Sequence, residues 1–178
     1  QYQYYCADIT RTFPVNGKFN AEQKAIYDIV LAAHDAALAE IKPGAPCNIM
    51  SNAALRVIVQ GLVDLKLLSG SIDEVIETEA YKPFYMHRIG HWLGMDTHDV
   101  GRYKIDNQWR AFEVGMLTTI EPGIYILPEL DVEDRWKGIG VRIEDDILVT
   151  VDGPRVLSEE LDSTLSAAIL PLPQEGAM

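Results

Sequence analysis

The run Val141-Arg142-Ile143-Glu144-Asp145-Asp146-Ile147 puts charged side chains inside a segment that otherwise reads as strand. Successive side chains of a strand point to opposite faces, so Arg142 and Glu144 project together and Ile143 points away from them. Burying charge is costly unless it is paired or bound to a metal. Any fold that makes this strand central must therefore supply a partner for Glu144. The alternative is a plain Arg–Glu pair on a solvated face.

The chain has 178 residues, enough for one domain with a real core and short for two. We expect residues 1–178 to form a single domain. No apolar run reaches the roughly 20 residues that a membrane-spanning helix needs, since the richest stretch is broken by Arg56, Gln60, Gly61, Asp64 and Lys66. A formal charge of −12 makes nucleic acid and anionic membranes poor partners, because both call for clustered Lys and Arg. Cys6 and Cys47 match no zinc or redox spacing. They read as two reduced core thiols of a cytoplasmic protein. The chain starts at Gln1 rather than Met, and on this basis is expected to be a piece of something longer.

Residues 1–14, rich in Tyr, Ile, Thr and Phe, read as strand, and Asn16-Gly17 as a hairpin-type turn. Asn20 and Gln23 have the spacing of a capping box. After them Ile26, Ile29, Val30, Ala33, Ala37 and Ile41 recur at helical spacing until Pro43-Gly44. A second helix is expected over 48–68, stopped by Ser69-Gly70. A short third helix is expected from the box Ser71–Glu74 to about Glu79. Strand-prone pieces follow at 116–126 and 138–150, and residues 171–178 read as a frayed tail. Strand, helices, then mostly strands is an α+β order.

Three of the four histidines, His87, His91 and His98, crowd one Gly-punctuated stretch, and this favours a site there. His87 and His91 are four apart, but Gly90, Gly94 and the lack of an apolar stripe argue against a helix. His34, inside the first helix, reads as structural or surface. Asp8, with Thr10 on its face, lies in a run of apolar and Tyr residues. Glu121 ends a strand-like run before Pro122-Gly123, where it can face a cleft or serve as an ordinary turn residue. Nucleophile-elbow, Walker, dinucleotide and Cys-x-x-Cys motifs are absent, which disfavours covalent, phosphate-cradling and dinucleotide chemistry.

Taken together, ADITRTFPVNGKF, MHRIGHWLGMDTHDVG, TIEPGIYI and GIGVRIEDDILVT closely resemble the catalytic domain of the Xaa-Pro aminopeptidase (aminopeptidase P) family. That family belongs to the pita-bread-fold dinuclear metallopeptidases, with prolidase and methionine aminopeptidase. The likeness runs from about Tyr4 to about Leu157, with the motifs in family order. It implies a pita-bread fold shortened at its amino-terminal side, and hydrolysis of an amino-terminal Xaa-Pro bond in a peptide with proline second.

Carried over residue by residue, the metal ligands are Asp8, His91, Glu121 and Glu144, with Asp8 and Glu144 bridging two divalent ions. Mn²⁺ suits so oxygen-rich a set, and Co²⁺ or Zn²⁺ can also occupy it. The resemblance gives Glu121 a proton-handling role as well, sets His87 and His98 beside the substrate, and makes Arg142 an orienting residue. The family's other aspartate falls ahead of Gln1, so activity of this chain alone is expected to be impaired. Arg88 stands where the family commonly has glycine after its first histidine. Prolidase, a non-catalytic pita-bread binding module and a metal-free creatinase-like hydrolase are the alternatives, and homo-oligomer formation is left open.

Overall fold

The computed structural model describes residues 2–161; the expected tail at 171–178 lies outside them. Asn20 opens the first helix. Its side chain accepts the Gln23 N–H at 2.7 Å, and Gln23 Oε1 accepts the Asn20 N–H at 3.1 Å. This closes the expected capping box, and α1 runs Ala21–Glu40. α1 buries Ile26, Val30, Ala33 and Ala37. α2 (Ile49–Asp64) packs on α1, and a Cβ on its Gly61 would overlap the Ile29 side chain, so the helices approach closely there.

α2 ends before the expected Leu68. Lys66 takes a positive φ of 61°, its N–H donates to Val63 O, and the Leu67 N–H donates to Leu62 O, both at 2.9 Å. That is a Schellman ending carried by lysine, so it precedes the Ser69-Gly70 signal. α3 (Ile72–Glu77) starts at the Ser71–Glu74 box and ends the same way, with Glu79 at φ 57° and Ala80 N–H donating to Val75 O.

β1 (Lys104–Ile105) and β2 (Gln108–Trp109) form a surface hairpin that turns on Asp106 and Asn107, both with positive φ. The two runs expected as strands at 116–126 and 138–150 each split. The first gives β3 (Leu117–Ile120) and β4 (Gly123–Tyr125); the second gives β5 (Gly140–Arg142) and β6 (Asp145–Thr150). With β7 (Gly153–Val156), the antiparallel sheet order is β3-β6-β7, while β4 pairs with β5 separately. Pro122 has no N–H to continue a ladder. Opposite it the Ile143 N–H turns to Pro122 O, and Glu144 takes Thr10 as its partner. Each run thus changes sheets, and Glu121 and Glu144 sit at the two switch points.

The expected strand at 1–14 is not regular. Tyr2 and Tyr5 close a tight turn through Gln3 and Tyr4, both with positive φ, and the chain then runs on with one bridge, Thr10 to Glu144. The turn at Asn16-Gly17 is present, its Gly17 N–H donating to Pro14 O.

The histidine segment is also irregular, and it lies along the free edge of β3. Thr119 N–H donates to His91 O at 2.9 Å, Glu121 N–H to Ile89 O, and Leu93 N–H to Leu117 O. Gly90 permits this approach, because a Cβ there would overlap the Thr119 carbonyl.

One cluster of buried side chains, including Val30, Ile58, Phe112, Ile120, Ile124, Ile143 and Ile147, joins the helices to both sheets. The α+β order is as expected. Among the described residues no helix is long and apolar enough to cross a membrane.

Gly90→Ala should cost about 1–3 kcal/mol by forcing the histidine segment off β3. Gly140→Ala, whose Cβ meets Tyr125 only at an ordinary 3.7 Å, should change little. Urea unfolding of the two variants compares them directly.

Candidate functional site

His91 is held from both sides. Its N–H donates to Thr119 Oγ1 at 3.1 Å, and its carbonyl accepts from Thr118 Oγ1 at 3.0 Å. Its ring Nδ1 lies 3.0 Å from the Trp92 carbonyl oxygen, which can only accept, so Nδ1 carries the proton. Its Nε2 then faces carboxylates alone. Asp8 Oδ2 is 3.4 Å away, Glu121 Oε1 3.7 Å and Glu144 Oε1 3.9 Å.

Both His91 Nε2 and Glu144 Oε1 are buried without a hydrogen-bond partner. Glu144 is only 2% exposed, which rules out the solvated Arg–Glu pair. Its other oxygen, Oε2, accepts from Thr10 Oγ1 at 2.7 Å, leaving Oε1 turned toward the imidazole. Three carboxylates around one imidazole nitrogen are stable only with a cation or a proton among them. His91, Glu121 and Glu144 offer ligand atoms within 4.8 Å of one another, as do Asp8, His91 and His98. The donor set therefore fits a divalent cation.

The charges are mutually strained. Burial first, then repulsion from Glu144 and Asp8, pushes Glu121 up to about 7 against the pull of Arg142 and His91. Glu144 is raised by its own burial and by Asp8, although the Thr10 hydrogen bond opposes this. Asp146 is pushed up to about 6 by burial and by the charges of Asp8, Glu144 and Asp145, even though its carboxylate accepts the Asp8 N–H at 3.2 Å.

Glu121 also faces His87 Nδ1 at 4.0 Å and Arg142 Nη1 at 3.8 Å. His87 Nδ1 lies 2.8 Å from Arg88 O, so that nitrogen is the donor and Nε2 accepts from the Tyr125 hydroxyl at 2.8 Å. Tyr125 in turn accepts from Arg142 Nε at 2.8 Å. The relay Arg142–Tyr125–His87 fixes one tautomer. Burial, reinforced by the Arg142 charge, lowers the His87 pKa against the Arg88 hydrogen bond and keeps the ring neutral. His98 meets the His91 ring edge-on, 4.3 Å between centroids, from an exposed loop.

The structure brings all seven sequence-derived candidates, Asp8, His87, His91, His98, Glu121, Arg142 and Glu144, to one region. His34 stands apart and is buried, not on the surface, with Nε2 3.0 Å from Asp145 Oδ2. Cys47 is buried but Cys6 is only half-buried, so one of the two thiols lies outside the core. Arg88 is turned away from the carboxylates, its guanidinium carbon 5.4 Å from the Tyr103 ring centroid. A cleft of about 360 Å³ beside it is lined by Tyr81, Tyr85, Met86, His87 and Arg88. Two participants went unnoticed in the sequence. Asp146 was legible, since alternation from Arg142 and Glu144 reaches it next. Tyr125 had no signal beyond its place two residues after Gly123.

Compared with known proteins, the chain matches metallopeptidase family M24 over residues 1–151. It is 50% identical over 158 residues to an Xaa-Pro aminopeptidase of Haemophilus influenzae, covering 89% of this chain and 36% of that protein. The Pseudomonas aeruginosa aminopeptidase PepP structure matches at TM-score 0.91 and 55% identity, over 93% of this chain and 38% of the other. Zinc-substituted Escherichia coli aminopeptidase P in complex with product matches at 0.89 and 44%, over 94% and 38%. The chain thus spans little more than a third of the length of these relatives. The family match and the structural likeness agree with the motif order, and the chain belongs to metallopeptidase family M24, with its pita-bread fold.

Proposed function

We propose that the protein carrying this chain is a metal-dependent aminopeptidase that releases an amino-terminal residue from peptides with proline second. The observation that carries the reading is His91 Nε2, buried without a hydrogen-bond partner and facing the carboxylates of Asp8, Glu121 and Glu144. The names of the relatives supply the substrate class. Asp8, His91, Glu121 and Glu144 would hold two divalent cations, Mn²⁺ by preference given the oxygen-rich set, with Co²⁺ or Zn²⁺ as substitutes. When bound, such ions activate a water and polarise the scissile carbonyl.

The remaining work falls to side chains. Glu121, on the rim of the cluster, takes a proton from the attacking water and passes it to the leaving amine. Neutral His87 and the exposed His98 contact the substrate around its scissile carbonyl. Arg142 fixes Tyr125 and Glu121, and through Tyr125 it sets the His87 tautomer. A proline in second place has no N–H and a fixed φ, so recognition rests on pocket shape rather than on a donor. The shared hydrophobic cluster supports treating the chain as one domain, and the reduced state of Cys6 and Cys47 supports a reducing, cytoplasmic setting.

Glu121→Gln should lower kcat/KM on an Xaa-Pro-Xaa tripeptide by about 10²–10⁴-fold without altering the fold; an unchanged rate would end the proposal. Cleavage of Xaa-Pro dipeptides alone would replace it with a dipeptidase.

A pH dependence also follows for the chelator-treated chain. Glu121 at about 7 and Asp146 at about 6 both lie above their ordinary values of 4.5 and 3.8. Each binds its proton more readily in the fold, so stability is full below those ordinary values and is lost as pH rises through 6 and 7. Asp145 works in the opposite sense: burial disfavours its charge, but His34 Nε2 at 3.0 Å and hydrogen bonds from Ser158 and Arg11 prevail and hold it at about 2, so its contribution is lost only in strong acid. Denaturant midpoints without metal should therefore fall between pH 5 and 7.5. Saturating Mn²⁺ should reverse that trend, since cations and protons compete for the same oxygens.

A further inference from the structure

Asp8 sits on a segment that is not a regular strand, yet its carboxylate must meet Glu144 within a few ångströms. Backbone pairing between the two stretches is sparse. Thr10 N–H donates to Glu144 O at a long 3.3 Å, and Glu144 N–H to Thr10 O at 3.0 Å. Arg11 adds what the ladder lacks. Its Nη1 donates to both carbonyls of that bridge, Thr10 O at 3.0 Å and Glu144 O at 2.8 Å. Its Nη2 donates to Asp145 Oδ1 and Leu161 O, each at 2.6 Å, and Nε to Leu161 O at 3.1 Å.

Glu144 and Asp145 are neighbours in an extended chain and so point to opposite faces. The guanidinium pairs with Asp145 on the far face and leaves Glu144 Oε1 free. Asp145 is itself anchored, with Ser158 Oγ 2.5 Å from Oδ1 and His34 Nε2, on α1, 3.0 Å from Oδ2. Arg142 is the contrasting case, a cation on the carboxylate face within 3.8 Å of Glu121.

We infer that Arg11, held by Asp145, is a positioning residue that clamps the Asp8 segment to the Glu144 switch point and so sets the spacing of the two carboxylates. This rests on the metallopeptidase reading and adds a residue that touches neither cation nor substrate. A planar fork with donors in fixed directions suits the task, and lysine, a point charge on a flexible stem, cannot reproduce it.

Calorimetric titration of the purified, chelator-treated protein with Mn²⁺ tests the clamp. Arg11→Met should weaken Mn²⁺ binding by about 10–100-fold, the range found when groups supporting metal ligands are removed. Arg11→Lys should fall between it and the unsubstituted protein. Leu62→Ala, in the core of α2 and away from the site, should lower stability but keep the Mn²⁺ affinity, which separates positioning from general weakening. Wild-type affinity in Arg11→Met overturns the inference; if that variant does not fold, wild-type affinity in Arg11→Lys does so. Failure of the unsubstituted protein to take up Mn²⁺ removes the metallopeptidase reading and the clamp together, whereas uptake that is the same in every variant removes the clamp alone.

Discussion

Four carboxylates, Asp8, Glu121, Glu144 and Asp146, are packed into one half-buried region, and their mutual repulsion is the constraint around which the chain is arranged. Each raised proton affinity there begins with burial and grows with the neighbours' charge. An ordinary core would not tolerate this grouping. Here it is tolerated because hydrogen bonds are distributed one oxygen at a time. Thr10 takes one oxygen of Glu144, the Asp8 N–H is given to Asp146, and Arg142 sits beside Glu121. The oxygens left over converge on a histidine nitrogen, His91 Nε2, that has no hydrogen-bond partner of its own.

The architecture makes this possible through interruption rather than regularity. Two strand-forming runs change sheets at Glu121 and at Glu144, so the ladder that would satisfy the backbone on both sides is broken where the side chains must turn inward. The histidine stretch takes the edge of β3 through three backbone bonds and one glycine. Because these pieces come from distant parts of the chain, the site is a product of tertiary packing. The helices contribute indirectly: α1 supplies the buried His34 behind β6 and packs on the sheets, and α2 packs on α1 within the common core.

Much of this was legible beforehand, and the misses have physical causes. The helix starts at Asn20 and Ser71 were readable because capping boxes are local chemistry. The end of α2 at Lys66 was not, since a left-handed residue that is neither Gly nor Asn leaves no mark in the sequence. Residues 116–126 and 138–150 looked like single strands because propensity does not register a change of partner. Residues 1–14 looked like strand because Tyr, Ile and Thr favour extended chain, yet regular pairing also needs a neighbour along the whole length. In the site, carboxylates and histidines stood out by type and by motif. Tyr125 and Arg11 act by orienting other groups, and that depends on geometry no spacing rule contains.

Anomalous diffraction from crystals grown with Mn²⁺ tests the central claim most directly. The account predicts scattering peaks enclosed by the Asp8, His91, Glu121 and Glu144 side chains, with His91 Nε2 at bonding distance. Peaks on other acidic surfaces alone, with these four groups still bare at saturating Mn²⁺, would contradict it.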